Sequence, residues 1–344
     1  MTEWNRQITL VARPEGSPKS TDFKLVETPV PTLGSGELLA RTIYLSLDPY
    51  MRGRMNETRG YADGVRLGDV MVGGTVSEVV ESNNTEYQSG DLVLGMGGWQ
   101  EYSVSNGVGL KKLNPDDAPI STALGVLGMP GLSAYVGLLD IGKPMRGETV
   151  VVSAASGAVG AVVGQIAKIK GCRVIGVAGA PEKCDYVERQ LGFDVCVSRF
   201  DDAFPVALKE ACPDGIDIYF ENTGGKIFEA VLPLLNTYAR VPICGRIAGY
   251  SGQNTDRPNL TSYVMYLAIV KRLTFQGFLV FDHYDRESDF LRDVQLWIRK
   301  GQLVYREDIL DGLEHAVKGF QGLLQGKNFG KLLVRVSEDP TSKQ

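Results

Sequence analysis

The 344-residue chain carries 36 Lys and Arg against 41 Asp and Glu, a formal net charge of −5, with 43% hydrophobic and 22% charged residues. That balance fits a globular protein of roughly two domains and excludes a binder driven by positive charge to nucleic acid or an anionic membrane. The longest apolar runs, such as 263–270, are too short to span a bilayer, and the first residues lack the apolar core of a secretory signal. A cytoplasmic location is therefore expected. Five cysteines, at 172, 184, 196, 212 and 244, form no C-x-x-C pair and read as reduced, apolar core residues. His283 and His315 are the only histidines and have no cysteine or carboxylate at ligand spacing, so no metal site is expected.

Residues 1–122 are rich in Gly, Pro and β-branched residues. Segments 36–44, 70–80 and 91–95 read as strands, separated by turn signals at Gly34-Ser-Gly36 and Ser89-Gly90. A compact, largely antiparallel β domain with a partly open barrel is predicted. Gly73-Gly74 inside the second strand signals a bulge or a close passage of another segment. After a boundary at Asp116-Asp-Ala-Pro119, helical patterns at 121–128 and 133–139 lead into the centre of the chain.

There, Thr149-Val-Val-Val152 reads as a buried parallel strand. The small residues Ser153-Ala-Ala-Ser-Gly157 allow a tight turn, and Val159, Val162, Val163, Ile166 and Ala167 then recur at helical spacing. Gly171 ends that helix and the next strand follows at 172–177. Against the G-x-G-x-x-G fingerprint, Ala155 replaces the first glycine while Gly157 and Gly160 hold the other places. In this strand–turn–helix–strand context the turn is where a pyrophosphate would lie against backbone N–H groups. Packing against the sheet is the other role open to the two glycines, but the flanking elements favour a dinucleotide.

Strands at 194–197, 216–220, 239–244 and 273–279 alternate with helices at 181–191, 202–211, 224–235 and 260–270. This rhythm predicts an α/β, doubly wound parallel-sheet (Rossmann) domain over 123–302. Beyond the helix at 288–300, a helix at 314–324 and a strand at 331–336 return to complete the β domain with 303–344, and the tail after Ser337 reads as mobile.

The second strand of the unit ends at Val177-Ala-Gly-Ala180 with no acid at its tip, where an NAD site usually places one. That leaves room for the 2′-phosphate of NADP, with Lys183 and Arg199 as cations to neutralise it. A solvated surface role is the usual fate of a lone Lys or Arg. Glu182, after Pro181, should lie in the helix rather than at the tip.

Together these features resemble the zinc-independent branch of the medium-chain dehydrogenase/reductase superfamily. The branch includes leukotriene B4 12-hydroxydehydrogenase/prostaglandin reductases, plant alkenal double-bond reductases and bacterial curcumin reductases. The similar stretches include Leu45-Ser-Leu-Asp-Pro-Tyr-Met-Arg-Gly-Arg54, Val70-Met-Val-Gly-Gly-Thr75, Ala154-Ala-Ser-Gly-Ala-Val-Gly160, Glu221-Asn-Thr-Gly-Gly225, Ile243-Cys-Gly245, Gln276-Gly-Phe278 and Lys327-Asn-Phe-Gly-Lys331. The curcumin reductases are nearest, through Tyr50, Tyr61 and Ser89-Gly-Asp-Leu-Val-Leu-Gly-Met-Gly-Gly-Trp99.

The resemblance implies a GroES-like β domain, a homodimer, and NADPH-dependent reduction of the carbon–carbon double bond of α,β-unsaturated ketones or aldehydes. It implies cofactor contacts at Gly157, Ala158, Val159, Gly160, Lys183, Arg199, Asn222, Cys244, Gly245, Tyr250, Phe278, Leu279, Val280 and Asn328. Several relatives carry tyrosine in place of Arg199, yet a guanidinium also binds phosphate. Mammalian relatives carry a further tyrosine where this chain has Val270, and Tyr266 lies one helical turn earlier.

Such chemistry builds negative charge on the carbonyl oxygen and needs hydrogen-bond donors there, then a proton at the α-carbon. Tyr50, Tyr61 and Tyr250 are the candidates, since a tyrosine hydroxyl is a neutral donor. Any one of them taken alone reads more simply as a half-buried packing residue. Met51, Met55, Met71, Met96, Phe281 and Tyr284 could line an apolar pocket, though core packing accounts equally well for a methionine. A quinone oxidoreductase and a non-catalytic NADPH-binding protein are the alternatives that turnover would separate.

Overall fold

The computed structural model describes residues 4–57, 60–252 and 260–342. The chain divides into two units, 1–125 with 307–344, and 126–306. Sequence punctuation puts the second boundary at 302/303, whereas the structure keeps 303–306 with the second unit. Leu303 is buried in that unit's core, Tyr305 packs on it, and Gln165 brackets Val304 through both backbone groups. Among the described residues no helix is long and apolar enough to cross a membrane.

The first unit opens with β1 (Trp4–Leu10) and β2 (Phe23–Pro29), paired antiparallel. Then come β3 (Leu38–Ser46), the short α1 (Met51–Arg54), β4 (Thr75–Ser82), β5 (Leu92–Gly95), β6 (Tyr102–Ser105) and β7 (Lys111–Lys112). The strand predicted at 70–80 starts only at Thr75. Gly73 precedes it because a Cβ there would stand 2.7 Å from Leu45 Cδ1 and 3.1 Å from the ring of Trp99, itself fully buried. The pattern at 121–128 forms a 3-10 turn at Ile120–Leu124 instead of an α-helix.

The second unit begins with α2 (Met129–Val136), which Pro130 starts near its first turn, running into a π-helical stretch at Gly137–Gly142. The alternation follows as β8 (Thr149–Ser153), α3 (Gly160–Ile169), β9 (Arg173–Ala178), α4 (Pro181–Arg189), β10 (Val195–Ser198), α5 (Phe204–Ala211), β11 (Ile216–Phe220), α6 (Gly225–Val231), β12 (Leu235–Ile243), α7 (Thr261–Lys271), β13 (Thr274–Gly277) and α8 (Glu287–Arg299). Among the described residues these strands form one parallel sheet in the order β10-β9-β8-β11-β12-β13. The order reverses between β8 and β11, as in a doubly wound fold.

An unbroken β-branched run is needed at β8 because both its faces are covered. Val150 and Val152 face the cluster that holds Val162, Val163 and Ile166 of α3, while Val151 faces the cluster with Leu208 of α5 and Val231 of α6.

The chain returns to the first unit with β14 (Glu307–Asp311), α9 (Ala316–Leu324) and β15 (Lys331–Arg335). Its main sheet runs β14-β15-β3-β4-β5-β7, with β6 also on β3, and is antiparallel save for β14 on β15. The segment after Ser337 is tethered rather than loose over its described residues. The Tyr44 hydroxyl donates to Asp339 at 3.0 Å and Ser337 Oγ donates to Thr42 O at 2.7 Å.

Gly164 lies inside α3, and a Cβ there would meet the buried Phe193 ring at 1.8 Å. Glycine to alanine inside a helix ordinarily stabilises by about 0.5–1 kcal/mol. Overpacking typically costs about 1–3 kcal/mol and should win here. Gly164→Ala should therefore lower the thermal midpoint by about 3–6 °C. A midpoint equal to or above wild type would contradict this packing.

Candidate active site

The residues singled out by sequence divide between the two units. In the second, they gather at the carboxyl ends of the parallel strands, where doubly wound sheets bind ligands. The turn after β8 bends at Ala154, whose φ of 52° is left-handed, one residue before the Ala155 that replaces the first glycine. The Gly157 N–H donates to Ala154 O at 2.9 Å. At Gly160 a Cβ would stand 2.4 Å from Ala154 O, so helix and turn fit only with glycine. At Gly157 the built Cβ meets nothing but that oxygen, at 3.2 Å. Beyond it, Ala158 and Val159 lead into α3, whose start carries the positive end of the helix; from Ala161 on, its N–H groups already bond to Gly157 O and Val159 O at 3.0–3.1 Å. This is a cradle fitted to a pyrophosphate.

The tip of β9 is uncharged and small. Gly179 and Ala180 separate it from α4, and Glu182 lies exposed in that helix. Lys183, in the first turn of α4, is only 8% exposed, so it is not a solvated surface cation. Arg199 N–H donates to Ala178 O at 2.9 Å, and its guanidinium lies 4.2 Å from the Phe200 ring centroid. Arg199 Nε also stands 4.0 Å from the position a Cβ would take on Gly179. The tip carries no acid of its own and is followed in the chain by Lys183 and Arg199, which fits a 2′-phosphorylated ribose.

Glu221, just after β11, is marked in the sequence only as part of Glu221-Asn-Thr-Gly-Gly225. It is 4% exposed, and its Oε1 accepts from the N–H groups of Thr223 at 2.6 Å and Gly224 at 2.8 Å, and from Ser153 Oγ at 3.2 Å. Burial pushes its pKa up from the ordinary carboxylate range. Asn222 Nδ2 donates to Ser153 O at 2.8 Å, so its amide ties β11 to β8. The Cys244 and Gly245 N–H groups both donate to Glu221 O, at 2.9 and 3.1 Å. Burial pushes the Cys244 thiol up to about 12, which makes it an inert apolar neighbour.

Tyr250 is half-buried, and its hydroxyl lies 3.4 Å from the position of a Cβ on Gly245. Burial raises its pKa, opposed by a hydrogen bond from the Arg246 backbone N–H to its oxygen. Phe278 sets its ring edge-on to Phe220 at 6.5 Å, with Val280 buried and Leu279 exposed. Tyr266 of α7 is 60% exposed, and Val270 lies on the same helix.

In the first unit, the segment carrying Tyr50 is held from below. Lys331 Nζ, buried, donates to Leu47 O at 2.9 Å and to Asp48 Oδ1 at 3.0 Å, and Ser46 Oγ donates to Asp48 Oδ2. Arg52, also buried, donates to Pro14 O, Gly16 O and Asn56 Oδ1. Tyr50 is half-buried at the start of α1, whereas Tyr61 is 54% exposed. Asn328 Nδ2 donates to Gly330 O at 2.8 Å. The pocket role read for Met51, Met55 and Met71 is corrected: all three are fully buried in the core with Trp99 and Phe320. Met96, Phe281 and Tyr284 are exposed.

Sequence profiles agree with this division. One described as "N-terminal domain of oxidoreductase" matches residues 6–113, and one described as "Zinc-binding dehydrogenase" matches 158–295. The chain is 53% identical over 337 residues to the NADPH-dependent curcumin reductase of Escherichia coli, covering 97% of this chain and 98% of that one. The chain belongs to the zinc-independent medium-chain dehydrogenases/reductases, in their curcumin-reductase-like branch. Within that family it is 42% identical over 342 residues to the 2-alkenal reductase (NADP(+)-dependent) of Nicotiana tabacum, covering 97% and 98% of the two chains. The crystal structure of CurA from Vibrio vulnificus in complex with NADPH matches with a TM-score of 0.94 and 49% identity, over 97% of this chain and all of that one. Among the described residues of this medium-chain reductase, no group of three or more His, Cys, Asp or Glu could hold a metal ion.

Proposed function

We propose that this chain is an NADPH-dependent oxidoreductase that reduces the carbon–carbon double bond of α,β-unsaturated ketones and aldehydes. The observation that carries the cofactor is the uncharged tip of β9, flanked by the buried Lys183 and by Arg199. The substrate class comes from relatives named for the reduction of curcumin and of 2-alkenals, similar over nearly the whole chain. When bound, NADPH supplies the hydride.

The remaining demands fall on the chain. Gly157, Ala158, Val159 and Gly160 bind the pyrophosphate through backbone, and Lys183 and Arg199 bind the 2′-phosphate. Cys244, Gly245, Tyr250, Phe278, Leu279, Val280, Asn222 and Asn328 complete the cofactor's surroundings. As negative charge develops on the substrate carbonyl oxygen, a neutral donor must meet it. Tyr250 suits this role. Its raised pKa keeps the proton on, so its O–H is available to donate. Tyr50, on a segment stiffened by the Asp48–Lys331 pair, is the second donor, and Tyr61 the third candidate.

A homodimer formed along the β13 edge of the parallel sheet also fits. Beside that edge, α7 exposes Met265, Tyr266 and Ile269 by 60% or more, an apolar face that a second copy would cover. Light scattering at micromolar concentration should give twice 37.4 kDa, and a monomer mass would contradict the dimer.

Lys183→Ala should lower kcat/KM for NADPH by about tenfold to a hundredfold, the loss of one charge-assisted hydrogen bond. Its kcat/KM for NADH should stay near wild type. Equal use of both cofactors by the wild-type enzyme would reject the 2′-phosphate site.

Tyr250→Phe removes only a hydroxyl. If that hydroxyl acts mainly in the transition state, kcat should fall with KM little changed. One such donor is worth about 2.7–4 kcal/mol, on the order of a hundredfold or more in rate. Tyr50→Phe is the parallel test. Wild-type enone reduction by both variants and by the double variant would remove tyrosine from the mechanism.

A further inference from the structure

An exposed phenylalanine ring lies beside the cation at the tip of β9. Phe200 follows Arg199 in the turn after β10 and is 62% exposed. A single exposed aromatic is ordinary on a protein surface, but this one is set apart by what it touches. The Arg199 guanidinium carbon stands 4.2 Å from the ring centroid, well inside the range of a cation–π contact. The ring also rests on the strand tip, where its Cε2 is 3.3 Å from the position of a Cβ on Gly179. An alanine there would press on the ring. The small tip that leaves room for a phosphate therefore also seats Phe200.

Backbone bonds and one hydroxyl tie this turn to the tip. Ser198 pairs with Ala178 in the β9–β10 register, and the Arg199 N–H donates to Ala178 O at 2.9 Å. Ser198 Oγ donates to Gly179 O at 2.6 Å and accepts from the Phe200 N–H at 3.3 Å. Next in the chain, Asp201 Oδ1 accepts from the Ala203 N–H at 2.8 Å, at the entry to α5. Among the described residues no carboxylate pairs with the Arg199 guanidinium.

An aromatic partner does something for this cation that an acid could not. A guanidinium carries five N–H donors in its own plane and has no acceptor. A carboxylate partner would occupy those donors and neutralise the charge, in competition with an incoming phosphate. An aromatic face attracts the cation and leaves the N–H donors available. A free arginine also has many rotamers, and ordering them on binding lowers affinity. A ring that holds the guanidinium beforehand removes part of that loss.

We infer that Phe200 is a positioning residue for Arg199 and thereby sets part of the preference for a 2′-phosphorylated adenosine. The inference rests on the 2′-phosphate reading of the β9 tip given above. It adds that an uncharged ring presents the cation already oriented, before the ligand arrives. Phe200 acts through Arg199 and needs no contact with the ligand.

The test uses the full chain and requires no turnover. In protein labelled with nitrogen-15 arginine, the Arg199 Nε–H resonance is identified by its loss in Arg199→Lys. In the free wild type it should be displaced by the ring current, and in Phe200→Leu it should return to the ordinary arginine position. Leucine keeps an apolar contact with Gly179 but offers no π face. Calorimetric titration with adenosine 2′,5′-bisphosphate and with adenosine 5′-monophosphate then reads the consequence. Phe200→Leu should weaken the bisphosphate by about twofold to fivefold, the size of one exposed cation–π contact, and leave the monophosphate unchanged. Phe200→Tyr, which keeps the ring, should bind the bisphosphate at least as well as wild type. In an Arg199→Ala background Phe200→Leu should have no further effect, because the residue it acts through is gone. An undisplaced Arg199 resonance in wild type would overturn the contact. Equal losses for both nucleotides, or a full loss in the Arg199→Ala background, would reduce Phe200 to a packing residue and overturn the inference. Wild type that favours the bisphosphate, with that preference intact in Phe200→Leu, would overturn the inference alone. Wild type that binds the two nucleotides equally would overturn the 2′-phosphate reading and this inference with it.

Discussion

Close approach of backbone to backbone at the turn between β8 and α3 is the constraint on which the second unit depends. Gly160 admits Ala154 O to within 2.4 Å of where its Cβ would be, and Gly176 on β9 leaves 2.9 Å between a built Cβ and that of Ala155. Gly164 takes the Phe193 ring in the same way. Together these absent side chains let α3 settle on the sheet and aim its first turn along the carboxyl ends of the strands. A bulkier residue at any of them would lift the helix, and the glycine turn with it.

The electrostatics follow from that placement. With α3 and α4 both starting at the same end of the sheet, two positive helix ends and two cations border the tip of β9. Glu221 is close by in the fold, yet its carboxylate is engaged by Thr223 and Gly224 N–H groups and by Ser153. It therefore acts as an internal brace for the loop. In the first unit, the buried Asp48–Lys331 pair has the same character. Such pairs contribute little net stability over an apolar substitute, but removing one partner leaves a buried charge. Their value here lies in fixing the backbone that leads to Tyr50.

Much of this was legible in the sequence because it is local. The β-branched run of β8, the small-residue turn and the helical stripe of α3 are contiguous, and their periods differ plainly. The uncharged tip of β9, ahead of Lys183 and Arg199, was also readable, from the missing acid there. What the sequence hid is either distant or ambiguous. The strand β15 pairs with β3 across most of the chain, and β14, written Glu-Asp-Ile-Leu-Asp, is too acidic to look like a strand. Met51, Met55 and Met71 could not be separated from pocket residues by type, since methionine fills either role. The left-handed φ of Ala154 is a conformational fact that no spacing rule reports.

Reduction of a carbon–carbon double bond conjugated to a carbonyl is the reaction proposed for this chain. Its most direct test is product analysis after turnover of a simple aryl enone with NADPH carrying deuterium at the transferable position of the nicotinamide ring. A saturated ketone with the carbonyl intact and one deuterium on the β-carbon, located by nuclear magnetic resonance, is expected. An allylic alcohol labelled at the carbinol carbon, or no consumption of any enone or enal, would contradict it.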